Sequence, residues 1–249
     1  MLREKRHELI LDWVEDYGFI QVSKLKDLLG VTDMTVRRDL QELEDKNLLV
    51  RVHGGAKSLD KTLGREFSND EKMLKNKDKK EYIAQIIANN INEGEIVFLG
   101  AGTTIEYVSE YLANKKCTIY TNSLYLFKKL NKIKGIKLYL IGGEFREITG
   151  AFVGSLAIDF AKHVSFTKAF IGVNGIDQGR AYTYSVDEGL LQARILDNAQ
   201  KSYIIADSSK IGRKDFYSFY NIEACTVISD KDISQKNADL IRKFARLIN

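Results

Sequence analysis

The sequence predicts an α/β protein in two parts, an N-terminal winged helix-turn-helix followed by an open, mostly parallel α/β domain. Three observations predict it. The first 58 residues pass from helical apolar spacing to two short apolar strands around a Gly-Gly turn. Residues 60–80 are crowded with charge and poor in apolar side chains. From Glu95 onward, unbroken apolar runs alternate with helical stretches, the pattern of strands buried on both faces of a parallel sheet. The expected division is 1–58, a linker over 59–74, and 75–249.

Leu9, Ile10, Trp13, Val14 and Tyr17 recur at helical spacing over residues 3–17, and Gly18 ends that helix. Residues 19–22 are extended. Ser23 is placed to cap a second helix holding Leu25, Leu28 and Leu29, which Gly30 ends. Thr32 caps a third helix over 33–46 with Val36, Leu40 and Leu43 turned inward. Residues 48–52 and 56–59, around His53, Gly54 and Gly55, form a hairpin. In the second part, strands are expected over 96–99, 118–120, 137–141, 169–173, 203–206 and 226–229. Helices are expected near 72 and over 103–113, 123–131, 154–164, 185–200 and 234–248.

The 249 residues are 44% hydrophobic and 29% charged, which excludes wholesale disorder. No apolar run approaches the roughly 20 residues of a membrane helix, and the charged start, residues 1–6, leads into no signal core. A cytoplasmic protein with no membrane partner is expected. Cys117 and Cys225 stand far apart in strand-like runs without histidine companions. They read as buried, reduced thiols, and neither a metal nor a cofactor is implied. Net charge is +4, yet residues 1–57 carry 10 Lys and Arg against 11 Asp and Glu. Any affinity for nucleic acid must come from where single charges fall rather than from a basic domain.

The third helix supplies such charges. With Val36, Leu40 and Leu43 inward, Met34, Thr35, Arg37, Arg38 and Gln41 point outward or flank the buried stripe. A recognition helix enters the major groove with its N-terminal residues at base edges, where Arg forks onto guanine. Thr32 and Thr35 are placed for phosphate or a thymine methyl. Arg51, His53 and Lys57 on the hairpin are placed for backbone or minor-groove contact. The plainer alternative is a solvated helix whose arginines pair with Asp33, Asp39, Glu42 or Glu44.

Several polar loops follow predicted strands, and ligands of open α/β sheets sit at that edge. Gly102, Thr103 and Thr104 open a helix with free amides and hydroxyls suited to phosphate, although the loop is neither a Walker motif nor a dinucleotide fingerprint. Thr121, Asn122 and Ser123 follow the second strand, as a sugar contact or a helix cap. Gly143, Glu144 and Arg146 follow the third, Arg146 facing a phosphate or simply a glutamate. Asn174 ends the fourth, Glu188 opens a helix beside Asp187, and Lys210 follows the fifth as a partner for ligand charge. No catalytic residue is assigned.

Residues 32–40 (TDMTVRRDL) and 50–56 (VRVHGGA) resemble the N-terminal signature of the DeoR family of repressors, and the loops GTT, TNS, GGEFR, NG, DE and DSSK match the sensor pattern of the same family. The resemblance spans nearly the whole chain. It implies a dimeric or tetrameric homo-oligomer bound to double-stranded operator DNA, released by a phosphorylated sugar. It implies a sensor similar in fold to ribose-5-phosphate isomerase. Residues 139–154 and 214–219 look most like the branch that governs lactose use and answers to tagatose 6-phosphate, a fructose- or galactitol-pathway branch being the near alternative. Many members carry an acidic residue where this chain has Gly100. Two other readings compete: a sugar-phosphate isomerase or deaminase using Asp187 or Glu188 as base, which the three histidines His7, His53 and His163 do little to support, and a module binding protein through its helix-turn-helix.

Overall fold

The computed structural model describes residues 2–17, 19–46, 48–52, 54–57 and 66–249, with only the backbone for 15–17, 19 and 57. The chain divides into two compact units, Met1–Gly64 and Arg65–Asn249.

The first unit consists of α1 (Arg3–Tyr17), β1 (Phe19–Gln21), α2 (Val22–Leu29), α3 (Asp33–Asp45), β2 (Val50–Val52) and β3 (Gly55–Lys57). Its core is Ile10, Val14, Leu25, Leu29, Val36, Leu40, Leu43 and Leu49 with smaller neighbours, so the three apolar residues expected inside α3 are all buried. β3 pairs antiparallel with both β1 and β2, making the wing a three-stranded sheet. Gly30 ends α2 at φ 63°, a left-handed conformation that glycine adopts without a Cβ penalty. Thr32 caps α3 by accepting a hydrogen bond from the Thr35 amide at 3.3 Å. Ser23 is not a cap: α2 starts one residue earlier, with Gln21 at the N-cap and no side-chain bond. Val22 is buried there, and that burial draws it into the helix.

Asp39 lies on the inner face of α3, 1% exposed. It accepts from Arg6 Nε at 2.7 Å and Nη2 at 2.9 Å, and His7 Nε2 stands 3.2 Å away. This fork clamps α1 to the helix expected to read DNA.

The second unit begins with α4 (Asn69–Met73) and α5 (Lys77–Asn89). There follow β4 (Ile96–Leu99), α6 (Thr103–Glu106) running into a 3-10 turn over Tyr107–Tyr111, β5 (Thr118–Thr121), α7 (Leu124–Leu130) and β6 (Lys137–Leu140). Next come β7 (Glu144–Arg146), β8 (Ala151–Val153), α8 (Ser155–Lys162), β9 (Phe166–Gly172), β10 (Gly175–Asp177), β11 (Arg180–Thr183) and α9 (Val186–Asp197). The chain closes with β12 (Ala199–Ile205), β13 (Tyr217–Asn221), β14 (Cys225–Ile228), α10 (Gln235–Arg242) and β15 (Arg246–Ile248). Seven strands form one sheet in the order β15-β14-β12-β9-β4-β5-β6, every pairing parallel. Alternate residues of one strand serve opposite faces: Phe98 packs with Ala157, Leu191 and Ile241, whereas Val97 and Leu99 pack with Ile83, Ile105 and Leu126. Helices α5 to α7 therefore cover one face and α8 to α10 the other. The chain runs outward from β4 to β6, returns to β9 beside β4, and runs out the other way. The gap between β4 and β9 is thus the topological switch point, where ligands of such sheets bind.

Two departures have clear causes. The helix expected over 234–248 stops at Arg242, because Leu247 and Ile248 gain more by pairing with Val227 and Ile228 as an edge strand. The GGEFR loop carries β7, which pairs with β8, and β10, β11 and β13 form a further small sheet. Strands of three residues leave little periodic signal. Residues 66–74, read from sequence as linker, belong to the second unit, and no helix among the described residues is long and apolar enough to cross a membrane.

Removing the α1–α3 clamp leaves Arg6 without its buried partner. Asp39→Ala is expected to destabilise the first unit by about 3 kcal/mol. Trp13, the one tryptophan, packs against that core, so the loss reads as an earlier urea midpoint by tryptophan fluorescence.

Candidate functional site

On α3, Met34, Arg37, Arg38 and Gln41 are all exposed, Met34 by 80%. Arg37 Nε donates to exposed Asp33 at 3.1 Å and Arg38 Nε lies 3.4 Å from half-buried Glu42, both i,i+4 pairs whose arginines are exposed. Such surface pairs contribute less than about 1 kcal/mol, so either guanidinium can leave its partner at little cost. Asp39, a third acid weighed as their partner, is taken by Arg6. Arg51 Nη1 donates to Gln41 Oε1, and its amide to Glu44 Oε1 at 2.7 Å, which fastens the hairpin to α3. Thr32 and Thr35 share a hydroxyl contact of 2.9 Å at the helix start. His53 and the Lys57 side chain lie outside the described residues.

In the second unit the parallel sheet delivers the loops after β4, β5, β6, β9, β12 and β14 to one edge. Thr103 and Thr104 are buried at the start of α6, after Gly102 at φ 146°. Gly100 packs its backbone so closely that a Cβ there would meet Ile171 Cδ1 at 3.2 Å and Phe170 O at 3.3 Å, leaving little room for any side chain. Asn122 is fully committed: its Oδ1 accepts from the Ala101 amide at 3.2 Å and its Nδ2 donates to Phe152 O at 3.0 Å. Thr121 Oγ1 accepts from the Ser123 amide, and Ser123 Oγ caps α7. All three are buried and shape the edge from within. Gly143 passes so near β8 that a Cβ would lie 2.3 Å from Val153 O. Glu144 is exposed.

The charged centre is assembled from further apart. Lys210 Nζ, following β12, donates to Val173 O at the end of β9 at 2.7 Å. Lys80 of α5 is 3% exposed and donates to Lys72 O. Burial first, and then the neighbouring Lys210, push its ammonium down to about 8, with Asp207 pulling the other way. Lys72 of α4 is likewise lowered, by burial and then by Lys210, while Glu66, Glu188 and Asp215 oppose the shift. Three lysines thus crowd one place. Burial alone would raise the Asp207 carboxyl; Lys210, the Ser209 hydroxyl and amide, and Lys80 outweigh it and hold it below its usual range. Asn76 Nδ2 and Ser209 complete its hydrogen bonds. Asn174 Nδ2 donates to Asp215 Oδ2 at 2.7 Å.

Arg146 forms a fork on Glu66, with Nη1 to Oε1 at 2.8 Å and Nη2 to Oε2, and its Nη1 stands 3.5 Å from Glu188. Hydrogen bonding to Glu66 is the main cause that raises its guanidinium still further. Glu188 also accepts from Thr149 at 2.6 Å and from Thr183 at 3.5 Å.

Of the residues picked from sequence, Arg146, Glu188, Asn174 and Lys210 therefore meet around one charged region; Thr121, Asn122, Ser123 and Gly143 frame the edge. Lys72, Lys80, Asp207 and Glu66 were missed as site residues. One signal was available: Lys80 falls on the same helical stripe as the buried Ile83, Ala84 and Ile87, an unusual place for a lysine without a task.

Residues 6–62 match the DeoR-like helix-turn-helix domain and residues 75–231 the DeoR C terminal sensor domain. Over their full lengths, the lactose phosphotransferase system repressor of Streptococcus mutans is 36% identical across 255 residues, and that of Staphylococcus aureus 34% across 251 residues, each comparison covering 100% of both chains. Among solved structures, ribose 5-phosphate isomerase A of Methanocaldococcus jannaschii covers 55% of this chain and 55% of its own at 16% identity and TM-score 0.39. A probable sor operon regulator of Shigella flexneri covers 70% of this chain and 91% of its own at 11% identity and TM-score 0.41. Both are loose likenesses from which nothing further follows. Matched in both of its parts and along its whole length, the chain belongs to the DeoR family.

Proposed function

We propose that this chain is a cytoplasmic transcriptional repressor of a sugar-catabolism operon. Residues 1–58 grip operator DNA, and residues 75–249 bind a phosphorylated sugar that releases it. The observation that carries the sugar-phosphate part is the lysine cluster at the ends of β9 and β12, next to the switch point: Lys210 on Val173 O, Lys80 on Lys72 O, and Asp207 between them. Cations gathered around a buried ammonium, Lys80, repel one another, and a phosphate dianion relieves that repulsion. Tagatose 6-phosphate is the leading inducer, given that the full-length relatives are named lactose phosphotransferase system repressors. In this reading Lys210, Lys80 and Lys72 take the phosphate, with Gly102, Thr103 and Thr104 beside them. Arg146, Glu188 and Asn174 read hydroxyls, while Thr121, Asn122, Ser123, Gly143 and Glu144 shape the loops. An isomerase needs a carboxylate free to accept a proton; Glu188 is already committed to Arg146, Thr149 and Thr183.

On the DNA side, Thr32, Met34, Thr35, Arg37, Arg38 and Gln41 meet the major groove, and Arg51, His53 and Lys57 the backbone or minor groove. The repressor works as a dimer or tetramer, because helix-turn-helix pairs read half-sites about 34 Å apart or a multiple of it.

The direct test selects double-stranded DNA from a random pool with the full-length protein and then titrates tagatose 6-phosphate into the complex. Release at micromolar to millimolar sugar phosphate is expected; fructose and galactitol phosphates are the comparison. No release by any of them would remove the sensor role. Arg37→Ala and Arg38→Ala are each expected to weaken binding to the selected DNA at least tenfold. Where the lost contact is to phosphate, the slope of log K against log salt falls by about one.

Lys80 adds a pH signature. Its ammonium sits near 8 in the free protein, so its charge is present at pH 7 and lost as pH rises through 8. An anion binds the charged form, so sugar-phosphate affinity is expected to hold between pH 7 and 7.5. By pH 9 it should fall toward tenfold per pH unit. Lys80→Met, which keeps most of the apolar stem, should weaken binding at pH 7 and flatten the profile, as read by calorimetry.

A further inference from the structure

We propose that Glu66 is an internal latch, clasped on Arg146 until the bound sugar phosphate displaces it, and that this exchange is what reaches the DNA-binding unit. The proposal rests on the reading of the chain as a phosphosugar-released repressor and adds the device by which release occurs.

Glu66 opens the described part of the second unit, one residue past its boundary at Gly64 and Arg65. Its side chain is 3% exposed. Among the described residues its only hydrogen-bonding partner is Arg146, which holds both carboxylate oxygens. A bidentate guanidinium–carboxylate pair of this kind is a strong and directional contact. The same fork suits a phosphate or a sugar diol, and Arg146 lies beside Glu188, whose charge is also felt at Lys72. The clasp and the lysine cluster are therefore one electrostatic unit.

That unit is already balanced by carboxylates. A phosphate monoester adds about −1.5 to −2 charges, so one carboxylate has to yield. Three of the neighbouring acids are fixed to the sheet edge: Glu188 by Thr149 and Thr183, Asp207 by Ser209 and Asn76, and Glu106 by Lys129 and Asn69. Glu66 alone among these stands on the stretch of chain that continues into the helix-turn-helix. Just beyond it, the Asn69 amide donates to Ile148 O at 2.9 Å and Lys72 presents its ammonium to the lysine cluster. Loss of the Glu66 contact therefore loosens the chain on the DNA side of Lys72, while Lys72 is held by ligand on the other. A ligand shifts an equilibrium only by its different affinity for the two states, and competition for Arg146 supplies that difference.

The test compares Glu66→Gln with wild type on the selected operator DNA. Without sugar phosphate, Glu66→Gln is expected to bind that DNA at least tenfold more weakly. By reciprocal linkage it should bind tagatose 6-phosphate more tightly than wild type. Operator affinity within twofold of wild type, with release unchanged, overturns the clasp. Should Glu66→Gln fail to fold, Arg146→Gln opens the clasp from its other side and must give the same loss of operator affinity. In wild-type protein, hydrogen exchange of amides 66–68 is expected to speed up on adding tagatose 6-phosphate while 207–210 slow down; slowing in both segments contradicts the proposal. If tagatose 6-phosphate does not bind wild type at all, the proposed inducer falls, and the ligand-free operator comparison still decides the clasp.

Discussion

Repulsion among three ammonium groups at the open end of a parallel sheet, one of them buried, is the constraint that the charges of the second unit answer. Lys210 comes from the loop after β12, Lys80 from α5 and Lys72 from α4. Burial first, and then Lys210, lower the ammonium groups of Lys80 and Lys72. Asp207 relieves part of this, held as a carboxylate by the charges it offsets. Against that repulsion, α5 is held over the edge by Lys79 Nζ donating to Ser208 Oγ and Asn76 Nδ2 to Ser209 Oγ. Those contacts tie the beginning of the unit to the loop after its fifth sheet strand, β12.

The first unit depends on a different economy of charge. Its sequence is nearly neutral, which conceals a separation by face. Asp39 is buried under α1 and paired with Arg6, and Glu44 is occupied by the Arg51 amide. These acids are spent on internal fastening. Arg37 and Arg38 remain outside, each with its guanidinium exposed and held by one i,i+4 carboxylate. A neutral total is therefore compatible with a cationic reading surface.

Much of the fold was legible because its elements are periodic. The inward stripe of α3, the Thr32 cap and the sheet strands β4, β5, β6, β9, β12 and β14 follow from apolar spacing alone. What stayed hidden was short or distant. β15 and the strands of the small sheets are short, and stretches such as EFR, RAYT and YSFYN are broken by polar residues, so no apolar run marks them. The site was half visible, since a loop after a strand announces itself, whereas Lys72 and Lys80 are brought over the edge by tertiary packing across more than a hundred residues. Glu66 looked like one more charge in a polar connector; only its burial against Arg146 distinguishes it. Asn122, read as a sugar contact or cap, turned out to be a strut between the β4 loop and β8.

The strand order has a consequence for how the molecule comes into being. The core of the first unit draws on residues between Ile10 and Ala56, so a growing chain holds all of that core early in synthesis. The central neighbours β4 and β9 lie about seventy residues apart, and such non-local pairings form late. During translation the reading head is thus assembled well before the part that restrains it. A ribosome that stops early leaves behind a fragment with a grip and no release.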